Sequence, residues 1–585
     1  MNREWSLKEL YDGYQDERFQ QDLEKLKLAV DEYNACAEAL DAARPAESIH
    51  NQLELSDTVR MIAHKLLSYC SLSEAVNTSD KEAAAYQSRI YMILSEQTKA
   101  ATAFERFVAA VQDLDSVIAS DEFLTGYAYR LNRIRKNAAH NLSEEVEEAV
   151  SKLNLSGGQA WAKLHGYLTS SVKVDYEGGT MPLSAIRNLA YAKDAGIRKR
   201  AYEAELACYD KIKDSVAFSL NSIKQQVLTM AQLRGYESPL AMTLEQAAMK
   251  RGTLDAMFTA IQEYLPKFWQ YLRRKGELLG HKNGLPWYEL FAPMGGNSRT
   301  FTTEEAKDYL LGIFQGFAPD LADMVARAFD QAWIDFYPHE GKAGGAFCAE
   351  VYCLRQSRIL TNFDGTLSDV VTLAHELGHA YHNEQLFDNR IGNTDYSMPV
   401  AETASTFNEA VVMDAAIAAA TGEERIALIE SQLQDVTQII CDIYSRYLFE
   451  TAVFEKKSEG FLFPDELEKL MLDAQKTAYG SGLDPDYLHP YMWVCKGHYY
   501  SAELSFYNFP YAFGGLFARG LYAKYLEEGE AFLPRYRALL KATPVCTVED
   551  AARVADIDLS RPDFFRKSLQ SYADRIDEFL ALTEG

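Results

Sequence analysis

The tightest constraint on this chain lies within residues 371–382, VTLAHELGHAYH, where His375, Glu376 and His379 form an HExxH sequence. On a helix, positions i and i+4 share a face about one turn apart. Two imidazoles placed that way reach a single Zn²⁺ at about 2.0–2.1 Å. Glu376, beside the first of them, can hold the metal's water without taking a coordination place and so serve as general base. The pattern asks for a helix whose histidine face is not spent on a core. Asp364-Gly365 reads as a turn, and Thr366 with Asp369 as a capping box. Leu367, Val370, Val371 and Ala374 recur at i, i+3, i+4 and i+7 and form the burying stripe. His375, His379 and His382 fall on another stripe and are expected to converge away from the core. The competing reading is a pair of solvated surface histidines.

A catalytic zinc centre takes three protein ligands and keeps one place open. The third ligand is expected from residues 399–409, PVAETASTFNE. Pro399 suits a helix entrance. Glu402 and Glu409 are seven apart and share a face two turns long. Ala401, Ala404, Ala410, Val411 and Val412 around them are small or apolar, so these carboxylates are expected to be buried, and a buried carboxylate needs a cation or donors. Glu402 is assigned as third ligand. Glu409 is assigned as acceptor for a ligand imidazole N–H, which sets the tautomer. Further on, His498, Tyr499, Tyr500, Tyr507 and Tyr511 crowd into one short stretch; the plain alternative is an aromatic core segment.

HELGHAYH followed by VAETASTFNE resembles the oligoendopeptidase F group of the thimet-oligopeptidase-like zinc metallopeptidases. EWSLKELYDGYQDERFQQDL near the start, GKAGGAFC before the motif and HYYSAELSFYNFPYAFG after it extend the likeness over nearly the whole chain, most densely from about residue 195 onward. The resemblance implies a mainly α fold: a large helical peptidase with a deep substrate channel and a small β-sheet beside the HExxH helix. The sheet edge would pair with an extended substrate backbone. It implies one zinc ion per chain on His375, His379 and Glu402, with Glu376 as base, cleaving internal bonds of short unfolded oligopeptides. By the same resemblance His498 and one or two tyrosines, Tyr507 and Tyr511 favoured, face the scissile carbonyl as donors to its developing charge. The alternatives are a carboxypeptidase or other exopeptidase on the same fold, and a catalytically silent peptide-binding protein.

A chain of 585 residues is too long for one simple core. It reads as an N-terminal helical region (1–152), a connector with one possible hairpin (153–182) and a catalytic region (183–585). Lys+Arg 59 against Asp+Glu 85 leaves −26, which argues against nucleic acid or an anionic membrane as partner. No uncharged apolar run reaches the ~18 residues of a membrane span. No basic stretch leads into an apolar one at the N-terminus. Eight scattered cysteines without a CxxC fit reduced thiols, so the expected location is cytoplasmic. Oligomeric state is not legible.

Helices are expected through 1–150 with breaks at Pro45, 77–80 and 113–115, one of them running through 86–111. A loop is expected over 280–297 and a helix over 304–336. Two short strands, 347–353 and 357–362, should flank a turn at Arg355-Gln356. Arg198-Lys199-Arg200 reads either as a grip for a substrate carboxylate or as a solvated helix face. Cys495-x-x-His498 has metal-like spacing but is weak alone.

Overall fold

The structure is a computed structural model that describes residues 3–295 and 299–584. Helices dominate, as the periodicity requires. Among the described residues, strands occur in two small sheets only. One is an antiparallel hairpin of β1 (Lys173–Tyr176) and β2 (Gly179–Pro182). The other joins β3 (Ile334–Asp335), β4 (Phe347–Val351) and β5 (Gln356–Leu360), with β5 in the middle. No helix is long and apolar enough to cross a membrane among the described residues.

Contacts group the chain into two units, each assembled from three segments, rather than into three consecutive regions. The first comprises Met1–Asn141, Ser298–Ala415 and Lys524–Asp556; the second Leu142–Asn297, Ala416–Ala523 and Ile557–Gly585. In the first unit, helices Glu17–Glu38 and Pro45–Val76 pack side by side through Phe19, Leu23, Leu26, Leu66 and Tyr69. Val351 of β4 and Leu360 of β5 belong to the same apolar cluster. The N-terminal helices are therefore the bed on which the sheet rests. Pro45 opens its helix, and Asp80 caps Lys81–Ser95 by accepting from the Glu82 and Ala83 amides. The helix expected through 86–111 breaks in two, Lys81–Ser95 and Thr98–Ala110.

The helix expected over 304–336 breaks at Ala318, where Pro319 opens a second helix ending at Asp330. Ile334 and Asp335 instead run parallel to Ile359 and Leu360. A two-residue strand is too short to leave a period-two signature. β4 and β5 pair antiparallel from Phe347↔Leu360 to Val351↔Gln356. Their turn is a 3-10 step, Tyr352–Leu354, closed by Arg355 in the left-handed region at φ 53°, one residue before the expected place.

In the second unit the expected hairpin is present, but most of the expected connector before it is helical: Glu144–Ser156 and Gly158–Ser171, parted at Gly157. The 280–297 loop carries a 3-10 turn, Trp287–Glu289; residues 296 and 297 lie outside the described ones. The basic run is structural. Arg198 is buried against Glu289, with its Nε donating over 2.7 Å, while Arg200 pairs with Glu177 and Lys199 with Glu203. Arg198 is thus withdrawn from solvent, and Lys199 and Arg200 lie on a solvated face. Cys495 directs its Sγ at the Met492 carbonyl, and the only metal-capable group among the described residues excludes both Cys495 and His498.

Candidate metal and catalytic site

Helix Leu367–Leu386 carries the HExxH residues. Its start is the expected capping box: Thr366 Oγ1 accepts from the Asp369 amide, and Asp369 Oδ2 accepts from the Thr366 amide. Leu367, Val370, Leu373, Ala374 and Leu377 are buried, whereas His375 and His379 stay partly open. His382 does not join them. It is fully buried, stacked on Tyr396 with ring centroids 4.5 Å apart, and its Nε2 meets Thr543 Oγ1 at 2.9 Å. Burial pushes its pKa down to about 3, so it stays neutral. It ties the helix to the segment after helix Leu533–Ala542.

The second element is broken. Pro399 lies in the first turn of Met398–Ala401, that helix ends at Glu402 (φ −94°, ψ 12°), and Thr403–Ala419 starts anew. Glu402 and Glu409 thus do not share one helix face. Instead Glu402 projects from the junction and Glu409 from the following helix. Glu402 Oε2 stands 3.3 Å from His375 Nε2 and 3.3 Å from His379 Nε2. Ser405 Oγ donates to the same oxygen at 2.7 Å. Four ligands at about 2.05 Å around a tetrahedral ion lie about 3.3 Å apart. The Glu402 oxygen therefore stands from each nitrogen at the spacing that a single such ion asks, and the three atoms, all within 4.8 Å of one another, form the one group of this kind among the described residues. His375 Nδ1 lies 2.6 Å from Glu409 Oε1. A carboxylate there favours Nδ1–H, so that with a metal bound the Nε2 lone pair would be the one available to the ion. Glu402 is 40% exposed rather than buried, because it faces a cavity.

Electrostatics agree with a cation's place. Burial pushes His375 down, but hydrogen bonds to Glu402 and Glu409 outweigh it and raise its pKa to about 10. Burial also acts against the Glu402 carboxylate, yet the two imidazoles hold it well below the usual carboxylate range. Glu376, only 5% exposed, is shifted upward by burial, opposed by His375 and His379. An acid so placed holds a proton more readily than a solvated one, which is the property a proton shuttle needs.

The two helices meet backbone to backbone at Gly378. A Cβ there would come within 2.5 Å of the Ala404 carbonyl oxygen and the Ser405 Cα. Asn408 Nδ2 adds a hydrogen bond to the Ala374 carbonyl at 3.1 Å. Main-chain atoms cannot swing aside, so Gly378→Ala should cost about 1–3 kcal/mol of overpacking and weaken metal retention by forcing Glu402 outward. A thermal melt and a zinc titration of the variant check this; wild-type values for both would show that the contact does not set the spacing.

The donors open onto a cavity of about 540 Å³. Its wall includes Cys348, Glu350, Asn383 and Tyr396, none of which sequence reasoning singled out. For Cys348 and Glu350 a signal was present: alternation along β4 puts both on one face.

His498, Tyr507 and Tyr511 form a cluster of their own in the second unit. His498 and Tyr507 stack at 5.3 Å, and Tyr511 stands edge-on to both, at 6.0 and 5.8 Å. The His498 Nδ1 has no hydrogen-bond partner, and burial, helped by Arg446 and Lys496, lowers its pKa. Tyr499 and Tyr500 are buried, the latter donating to the Trp493 carbonyl at 2.7 Å, so they belong to the core.

A family model described as Peptidase family M3 matches residues 188–543, and one described as Oligopeptidase F matches residues 111–173. Oligopeptidase PepF of Bacillus subtilis is 23% identical over 588 residues, covering 98% of this chain and 86% of its own. An oligoendopeptidase F homolog of Lactococcus lactis is 23% identical over 602 residues, covering 99% and 97%. Among solved structures, one from Chlamydophila abortus superposes with a TM-score of 0.86 at 20% identity, covering 99% of this chain and 98% of that one. Oligoendopeptidase-F from Enterococcus faecium gives 0.69 at 18% identity, covering 96% and 99%. The large helical fold is the one those structures share.

Proposed function

The chain belongs to peptidase family M3, and from that membership we propose that it is a zinc-dependent oligoendopeptidase that cleaves internal bonds of short, unfolded peptides. The observation that carries the reading is the spacing of His375 Nε2, His379 Nε2 and Glu402 Oε2 with Glu376 buried beside them. Zinc, when bound by those three residues, supplies a Lewis acid for the carbonyl and lowers the pKa of water towards about 7.

The chain's own residues do the rest. Glu376 takes the proton of the attacking water and delivers it to the leaving amine. Glu409 holds the His375 Nδ1–H and so keeps the ring's other nitrogen available. β4 lies at the edge of its sheet, and no strand among the described residues covers its outer side. An extended peptide would add there by main-chain hydrogen bonds, which is tolerant of sequence. His498, Tyr507 and Tyr511 are assigned as donors to the carbonyl oxygen as charge develops on it. The deep channel expected from the resemblance and a cytoplasmic location, which suits eight unpaired cysteines, are part of the same proposal.

The test is cleavage mapping by mass spectrometry on a mixed peptide library, half of it blocked at both ends. Metal-free, zinc-restored and chelated enzyme are compared. Internal cuts in blocked peptides, present only with metal, are expected. Cuts confined to free termini would make the enzyme an exopeptidase. Stoichiometric zinc with no cut anywhere would leave a peptide-binding protein.

A further inference from the structure

β4 sorts its side chains by alternation. Phe347, Ala349 and Val351 pack on the apolar cluster of the N-terminal helices. Cys348 and Glu350 lie on the other face and line the cavity that holds His375, His379 and Glu402, which Phe347 at the start of the strand also borders. Across the ladder Glu350 faces Ser357, whose Oγ accepts from Asn383 Nδ2 of the HExxH helix at 3.1 Å. Glu350 therefore stands on the substrate side of the strand, and one of its carboxylate oxygens, Oε1, is buried without any hydrogen-bond partner. No Lys or Arg pairs with it among the described ion pairs. Asp395, which acts on it through space, is matched by Arg60 at 3.0 Å.

An unmatched carboxylate in the wall of a binding cavity is costly unless something cationic arrives with the ligand. Burial, with Asp395 nearby, pushes the Glu350 carboxyl up to about 7, so without a cation beside it the group holds a proton more readily than a solvated carboxyl. We propose that Glu350 is a specificity determinant that selects peptides carrying a basic side chain, Lys or Arg, next to the bond to be cut. The inference rests on the peptidase reading above and adds a substrate class to it. A basic side chain suits the site better than a free amino terminus. An internal bond cut on β4 leaves residues on both sides of it, and a side chain from such a residue can reach the alternate face of the strand.

The experiment uses the full-length zinc enzyme and two internally quenched peptides, blocked at the N-terminus, that differ only in Lys against norleucine at each position around the cut. A third peptide, with norleucine and a free N-terminus, reports on the amino group. Wild type is expected to prefer the Lys peptide at one position by about 10–100-fold in kcat/KM, the range of a charge-assisted hydrogen bond. Glu350→Gln should collapse that ratio towards one, and Glu350→Lys should invert it in favour of a Glu-bearing peptide. Circular dichroism and zinc content show that each variant is folded. A wild-type ratio near one, or a ratio that Glu350→Gln leaves unchanged, overturns the proposal while the peptidase reading stands. A preference for the free-N-terminus peptide instead overturns the side-chain assignment. Failure to cut any of the three peptides would bring down the peptidase reading, and this inference with it.

Discussion

Glu376→Gln should hold zinc as the wild type does and lose about 10³–10⁴-fold in kcat, the upper part of what a positioned acid–base contributes. The substitution is close to isosteric at a site 5% exposed, so packing is preserved. It removes a carboxyl whose ionisation burial already disfavours, so the fold is not asked to give up a stabilising charge. The amide cannot accept the water's proton, and neither carboxylate that touches the ligand imidazoles is free to do so. Glu402 is engaged by both imidazoles and Ser405, and Glu409 by His375. Metal content by mass spectrometry and single-turnover cleavage of a blocked peptide measure the two halves separately. Turnover at the wild-type rate would remove Glu376 from the mechanism.

Glu402→Gln should behave in the opposite way and lose the metal. The anionic oxygen at 3.3 Å from both imidazoles is replaced by a neutral amide, and the two histidines alone leave the centre a donor short. The loss of affinity should exceed the 10–100-fold that accompanies removal of an outer partner, which is the expectation for Glu409→Gln. Zinc at a thousand times its Kd stabilises the wild type by about 4 kcal/mol, so chelation should lower its Tm by several degrees. The variant's Tm should be indifferent to chelator. Zinc binding and a chelator-sensitive Tm like the wild type's would take Glu402 out of the ligand set.

Much of this was legible because local rules govern it. The capping box at Thr366 and the apolar stripe of the HExxH helix follow from side-chain types a few residues apart, and so does the hairpin at 173–182. The contributors Glu402 and Glu409 were named correctly as neighbours of the histidines, but the break between them was not foreseen. Ala401-Glu402-Thr403 holds no Gly or Pro to signal a break, and the bonds there, Thr403 Oγ1 to the Val400 carbonyl and Ser405 Oγ to Glu402, are equally compatible with a continuous helix in the sequence. His382 was misplaced for a related reason. Periodicity tells which side chains share a face and is silent on what later segment covers it, here Leu540 and Thr543. The helices over 144–171 were hidden behind Gly157-Gly158, since glycine is weak evidence against a helix that merely restarts there. Glu350 was passed over because a lone acid in a strand looks like surface decoration until its neighbours are known.

Gly378 gives this arrangement a further property. Because the two helices touch through main chain, the triangle of donors does not depend on which rotamers line the cavity. The walls that meet the peptide belong largely to β4 and the 394–396 stretch. If the proposed reading holds, reaction and taste are inherited on separate pieces of chain: mutation could redraw the diet of such an enzyme, residue by residue, without loosening the clamp that holds the donors.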